Sequence, residues 1–395
     1  MATPAAEAVV VVVLDSVGVG GAPDAAAYGD ADSATLQHVA ETVGGLDLPN
    51  LRRIGLGNVA EIAGVPPVER PEGAFGRLTE RSPGKDTTTG HWELCGIVLD
   101  RPFPTYPDGF PTALIEEFER RIGIGTLGNV AASGTEIIAR LGEEHLATGK
   151  PIVYTSADSV FQVAAHVDVV PLEALYQMCS VAREMLRPPH EVARVIARPF
   201  AGSPGSFRRT PDRHDFSVLP PGDTILDEIV RAGLEVRGVG KIADIFGGRG
   251  VTSSRPTVGN DDGIDAIIDA SNALSAGLVL ANLVDFDQSY GHRNDAMGYA
   301  RSLEGFDRRF PEVLAARGDA VFFLTADHGN DPTTPSTDHS REQVPVLVAG
   351  DRIRPGVDLG ANRSFGDLGA TVAEILGVET ATRGRSFWTE LRADR

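Results

Sequence analysis

Residues 9–15 (VVVVVLD) form an unbroken apolar, mostly β-branched run that stops on an aspartate ahead of a glycine-rich stretch. A continuous apolar run this short reads as a parallel strand buried on both faces. Comparable runs recur at 278–285 (LVLANLVD), 320–326 (AVFFLTA) and 344–349 (VPVLVA). Between them, 263–276, 297–317 and 367–376 carry helical spacing of apolar positions. Strands alternating with helices predict an α/β fold built on a mostly parallel sheet. Sites in such sheets collect beyond the carboxyl ends of the strands. Three of these strands end in acidic residues: Asp15, the pair Asp285 and Asp287, and Asp327.

The middle of the chain has a different texture. It offers helical stretches at 114–121 and 172–186 and shorter strand-like runs at 151–155 and 193–197. Turn-rich segments border it: PFPTYPDGFP at 102–111, GSPG at 202–205 and LPPGD at 219–223. This pattern predicts a smaller α/β domain at 102–217 inserted into a discontinuous core of 1–101 and 218–395.

Charge changes the picture of the partners. A formal net charge of −19 over 395 residues opposes binding to nucleic acid or to an anionic membrane. An anionic small molecule would need a local reversal of sign, from Arg, Lys or bound metal. The two cysteines, Cys95 and Cys179, exclude a disulfide framework and suit a reducing compartment. The opening MATPAAEA lacks a basic leader, and the apolar run after it is too short to span a membrane. A cytoplasmic chain is therefore expected. Nothing in the sequence demands a partner subunit, so a monomer is expected too.

The candidate chemistry lies at the strand ends. Asp327-His328-Gly329 follows one strand, with His339 a short loop away in TDHS. Asp287 and His292 form a D-x-x-x-x-H pair after another, and Asp15 closes the first. Each alone is an ordinary strand-end residue, since Asp is a common turn former. Together, three carboxylates and three imidazoles make a mixed O/N donor set of the size two divalent cations need. A second element is SPGKDTTTGHWELCG at 82–96, a Gly/Pro loop with three threonines that leads into a short helix. A hydroxyl there has backbone N–H groups and a positive helix end beside it. Threonine becomes a nucleophile at neutral pH only when a metal or base lowers its pKa.

At this point the chain resembles the phosphopentomutases of the alkaline phosphatase superfamily along nearly its whole length. The resemblance runs through DSVGVGGAPDA (15–25), GKDTTTGHWE (84–93), YTSADSVFQ (154–162), RVIARPFAG (194–202) and RTPDRHDFS (209–217). It continues in GVGKIADIF (238–246), NLVDFDQSYGHRND (282–295) and TADHGNDPTTPSTDHSREQVPV (325–346). It implies an alkaline-phosphatase-like core with a mobile cap. It also implies a phosphorylated hydroxyl on Thr87. One manganese would be held by Asp287, His292 and His339, and a second by Asp15, Asp327 and His328. In the inserted segment, Ser156, Asp158 and Val160 would contact the ribose. Arg194, Arg209 and Lys241 would bind the substrate's distal phosphate. Arg198 and Arg213 have the same spacing as Arg194 and Arg209, so either pair fits. Asn330 stands where the family leads one to expect Cys, and CGIVLD replaces a more Met-rich stretch.

The implied reaction interconverts the 1- and 5-phosphates of ribose or deoxyribose through phospho-Thr87 and a pentose 1,5-bisphosphate. Two divalent cations, Mn²⁺ foremost, would serve as cofactors, and glucose 1,6-bisphosphate would prime the threonine. Rival readings are a cofactor-independent phosphoglycerate mutase, a plain phosphomonoesterase and a non-catalytic metal-binding or sugar-sensing protein.

Overall fold

The computed structural model describes residues 6–156 and 158–393. The chain divides into two compact units, one ending at Arg101 and resuming at Pro220, the other spanning Pro102–Leu219. The second boundary lies two residues beyond the expected 217, because the Val218 N–H still bonds Ala193 O at 2.9 Å and extends the inserted sheet.

In chain order the first unit contributes β1 (Ala8–Leu14) and β2 (Ala74–Thr79). The inserted unit supplies β3 (Leu127–Ala131), β4 (Ile152–Thr155), β5 (Val160–His166), β6 (Arg194–Ala201), β7 (Arg208–Arg209) and β8 (His214–Ser217). The first unit resumes with β9 (Glu235–Val239), β10 (Ser253–Arg255) and β11 (Gly277–Leu283). It ends with β12 (Val321–Thr325), β13 (Val344–Ala349) and β14 (Arg363–Ser364).

Among the described residues the first unit holds an eight-stranded sheet in the order β10-β9-β11-β1-β12-β13-β2-β14. All seven residues of β1 are buried, as its unbroken apolar run requires of a central strand. Each such Val or Leu side chain contributes about 1.5–3 kcal/mol by leaving water. Its neighbours β11 and β12 run parallel to it, with Leu14 level with Leu283 and Val13 level with Thr325. That register brings Asp15, the segment 285–287 and Asp327 out at one edge.

The run at 344–349 departs from the parallel pattern: β13 is antiparallel to both β12 and β2. The reason is the connection. A parallel return needs a crossover, usually a helix, whereas residues 326–343 form a loop with no helix in it. The loop therefore re-enters the sheet at the edge it left, and His339 stays beside His328. β2, which has no clear apolar run because Gly76 and Arg77 interrupt it, pairs with β13 and runs parallel to β14. Its carboxyl end delivers the 80–86 loop and the Thr87–Leu94 helix to the same edge.

The inserted unit has its own sheet, β3-β4-β5-β6-β7, with β8 also pairing with β6. Alternate residues of its strands serve two cores. Val153, Phe161, Val163, Val195 and Ala197 pack with residues of the helices Thr112–Ile122 and Leu172–Met185. On the opposite face, Ile152, Tyr154, Ala164 and Phe200 pack with Ile137 and Ile138 of the helix Gly134–Thr148. No helix of the described residues is long and apolar enough to cross a membrane.

Candidate metal centre

The strand register assembles two donor groups. Asp15, Asp327 and His328 form one, and Asp287, His292 and His339 the other; within each, one ligand atom per residue lies within 4.8 Å of the rest. His328 Nε2 stands 3.5 Å from Asp15 Oδ1 and 3.3 Å from Asp327 Oδ2. Asp287 lies 3.1 Å from His292 Nε2 through Oδ2 and 3.4 Å from His339 Nε2 through Oδ1. The imidazoles of His328 and His339 stack with centroids 3.9 Å apart, so the two groups adjoin. Asp287 rides on a wide helical turn, Phe286–Tyr290, directly after β11, and His292 follows on the next turn.

The three imidazoles share one orientation. Nδ1 of His292 faces Thr337 O at 2.7 Å, that of His328 faces Gly329 O at 3.0 Å, and that of His339 faces Lys85 O at 3.0 Å. A carbonyl accepts only, so Nδ1 carries a proton and Nε2 is the nitrogen turned toward the carboxylates. Metal-binding histidines are held in this manner. After β1 the chain turns sharply at Ser16, which sits at φ 73° and donates its N–H to Asp327 Oδ1 at 3.2 Å. Asn282 Nδ2 donates to Asp15 Oδ2 at 3.2 Å, and Asn330 Nδ2 to Asp287 Oδ1 at 2.8 Å.

The electrostatics point the same way. Burial, then the neighbouring Asp327, push the Asp15 carboxyl up to about 7. Burial works to raise Asp327 as well, but His328 and His91 outweigh it and hold that carboxyl at about 2. Burial also opposes ionisation of Asp287, and His339 and His292 carry it well below the usual range. Burial lowers His328. Asp15 Oδ1 is a fully buried acceptor without a hydrogen-bond partner, and Asp327 Oδ2 faces the imidazoles of His91 and His328 at 3.1 and 3.3 Å. Buried carboxylate oxygens facing imidazole Nε2 atoms make a donor set that fits divalent cations with mixed O/N ligands.

Thr87 opens the Thr87–Leu94 helix, which is capped by Asp86 accepting from Thr89 N at 3.1 Å. Its Oγ1 lies 3.1 Å from His328 Nε2, within a hydrogen bond of the first donor group. One turn on, Gly90 lets the helix close on β12's end, since a Cβ there would stand 2.2 Å from Asp327 O. His91 Nδ1 sits 2.9 Å from Thr87 O and 3.1 Å from Asp327 Oδ2. Arg341, two residues past His339, is 2% exposed. It donates to Ser82 O at 2.9 Å, Gly84 O at 2.6 Å and Glu80 Oε2 at 2.6 Å, which pins the loop ahead of Thr87.

Lys241 lies in this unit, with Nζ 3.8 Å from Asp15 Oδ2. Its position is beside the first donor group. In the inserted unit, Ser156 and Asp158 lie in the connection between β4 and β5, and Val160 opens β5 level with Arg194. Arg194 reaches Asp158 Oδ2 and Asp215 Oδ2, each at 3.7 Å. Arg209 is not its neighbour: it pairs with Phe200, six residues further along β6, about 20 Å away at strand rise. Arg213 is bound to Asp215 through two bonds of 2.6 and 2.5 Å. Sequence reasoning passed over His91, Asn282 and Arg341 as site residues and took Asn330 as a departure that touches no proposed ligand, whereas it bonds Asp287; all four lie in the motif segments. Their signal was position only, because none has the chemistry of a nucleophile or the spacing of a ligand.

A sequence model of the metalloenzyme superfamily matches residues 7–380. The phosphopentomutase of Desulfitobacterium hafniense is 55% identical over 383 residues, 97% of this chain and 99% of that one. The chain belongs to the phosphopentomutase family. The phosphopentomutase of Symbiobacterium thermophilum is 57% identical over 387 residues, 97% of this chain and 98% of its own. A solved phosphoglycerate mutase from Leishmania mexicana covers 96% of this chain and 97% of its own at 14% identity, with a TM-score of 0.49. That likeness is too distant to carry an argument about chemistry.

Proposed function

We propose that the chain interconverts the 1- and 5-phosphates of ribose and deoxyribose through phospho-Thr87. The observation that carries this reading is the Thr87 hydroxyl, held at a helix start 3.1 Å from His328 within a double O/N donor set. Family membership supports it independently. Asp287, His292 and His339 are assigned to one divalent cation, and Asp15, Asp327 and His328 to the other. Such cations, Mn²⁺ foremost, lower the pKa of a hydroxyl and neutralise charge on a transferring phosphoryl group.

The chain's own residues would do the rest. In the first half-reaction the free hydroxyl oxygen of a pentose phosphate attacks phosphorus as the bond to Thr87 Oγ1 breaks. The product is a pentose 1,5-bisphosphate. In the second, Thr87 Oγ1 attacks its other phosphorus, and the isomeric monophosphate leaves. His91 and Arg341 hold the helix and loop that set the direction of Oγ1. Lys241, beside Asp15, is assigned to stabilise charge on the transferred group. Ser156, Asp158 and Val160 are assigned to the sugar, and Arg194 and Arg209 to the phosphate the sugar already carries. An activator such as glucose 1,6-bisphosphate would load Thr87 initially. The same reading places the chain in the cytoplasm, with Cys95 and Cys179 buried and reduced.

The test is a coupled assay of ribose 1-phosphate conversion to ribose 5-phosphate, with Mn²⁺, with and without glucose 1,6-bisphosphate. Conversion that needs both supports the phosphothreonine cycle. Release of inorganic phosphate without conversion would make the chain a phosphatase and end this proposal.

A further inference from the structure

Lys85 precedes Asp86, the cap of the helix that carries Thr87, and most of its side chain is buried. Its Nζ stands 3.0 Å from Asp30 Oδ2 and 3.6 Å from Asp338 Oδ2. Both carboxylates hold the chain on either side of His339. Asp338 Oδ1 accepts the His339 N–H at 2.9 Å, and Asp30 Oδ2 accepts the Arg341 N–H at 2.9 Å. The backbone of Lys85 reaches His339 itself, since Lys85 O accepts from His339 Nδ1 at 3.0 Å. One residue therefore secures the chain before this histidine, at it and, through Asp30, after it.

The segment 85–87 faces both donor groups. Thr87 Oγ1 lies 3.1 Å from His328 Nε2 in the first, and Lys85 O lies 3.0 Å from His339 Nδ1 in the second. An imidazole is rigid, so a cation on Nε2 and an acceptor on Nδ1 fix one ring between them. A cation on Nε2 also draws electron density from the ring, which strengthens Nδ1–H as a donor. Filling the second group should then tighten the bond from His339 to Lys85 and hold Thr87, two residues on, in its place beside the first. The ammonium keeps that carbonyl in register. Without it the carboxylates of Asp30 and Asp338 are left near each other with no cation between them.

We infer that Lys85 is a positioning residue that couples cation binding at Asp287, His292 and His339 to the placement of Thr87. This rests on the assignment of cations to the two donor groups and deepens it. The second donor group thereby sets the direction of a hydroxyl that lies beside the first. By linkage the coupling runs both ways. A loop that Lys85 holds in place presents His339 with its ring already oriented, so a cation binds there more tightly.

The experiment follows amide hydrogen exchange of residues 82–89 in the full chain, with and without saturating Mn²⁺, by mass spectrometry. Mn²⁺ affinity is measured alongside by calorimetry in wild type, Lys85→Met, Lys85→Arg and Asp338→Asn. Mn²⁺ should slow exchange of this segment about 10-fold in wild type and hardly at all in Lys85→Met. Affinity should fall about 10-fold in Lys85→Met. Lys85→Arg keeps a cation within reach of both carboxylates and should restore the slowing. Asp338→Asn keeps an acceptor for the His339 N–H but drops the charge facing Lys85, so it should lose part of the slowing. Full Mn²⁺-dependent slowing in Lys85→Met, even with a lower melting temperature, would reduce the lysine to holding the fold and overturn the coupling. Failure of Lys85→Arg to restore the slowing would overturn it too. Lys85-dependent slowing in a chain that converts no pentose phosphate would sink the mutase reading and keep the coupling.

Discussion

Gly90→Ala tests whether the helix that carries Thr87 is set by its closeness to Asp327. A Cβ at Gly90 would meet Asp327 O at 2.2 Å, Asp327 C at 2.9 Å and Asp327 Cβ at 3.0 Å. The shortest of these falls about 1 Å short of ordinary contact. Asp327 follows β12, which is clamped between β1 and β13 and cannot yield. The eight-residue helix must move instead, and Thr87 lies one turn before Gly90 on it. A displacement of about 1 Å at a reacting atom costs on the order of 100-fold in rate, or about 2.7 kcal/mol of activation free energy. Stability should change by less, about 0–2 kcal/mol net. Overpacking costs about 1–3 kcal/mol, and replacing Gly by Ala in a helix returns about 1 kcal/mol. The assay is pentose phosphate interconversion, alongside phosphothreonine by mass spectrometry and metal content by elemental analysis. The expected result is a ~100-fold lower kcat with metal content and fold retained. Wild-type kcat in Gly90→Ala would refute the claim that this contact places Thr87.

Thr87→Ala should abolish conversion and phosphoprotein formation while leaving ribose 5-phosphate binding largely intact; retained conversion would remove the covalent step. Asn330→Ala deletes the 2.8 Å bond to Asp287 Oδ1 and should weaken metal binding at that group by about 10–100-fold. Competition with a chelator reads this, and equal affinity would show that Asn330 does not orient Asp287. Metal uptake should also depend on pH. In the metal-free chain burial and Asp327 raise Asp15 to about 7 from 3.8, so below that pH a proton must leave before a cation binds. Affinity should fall as pH drops through 7 and level off above it, with proton release seen by calorimetry in buffers of different ionisation enthalpy. Equal affinity at pH 6 and 8 would contradict that charge state.

Much of this was readable along the chain. β1, β11 and β12 stood out because a strand buried on both faces needs an unbroken apolar run, and no other element of that length does. Their terminal acids stood out because a charge after such a run must sit at the sheet's edge. The motif segments carried the donor residues, since the side-chain chemistry of Asp, His and Thr is local to each residue. What lay beyond reach was pairing. The antiparallel course of β13 depends on a loop that returns without a crossover, and β2 is concealed by Gly76 and Arg77. Equal spacing made Arg194/Arg209 and Arg198/Arg213 equivalent in one dimension. Only strand register separates them, placing Arg194 against two carboxylates and Arg209 near the Tyr154 hydroxyl. Sequence by itself determined which elements form and which donors they carry, because burial periodicity and side-chain chemistry belong to neighbouring residues. The tertiary structure alone decided which charges are already neutralised and which donors are left unpaired, because partners supplied by other strands and helices settle both.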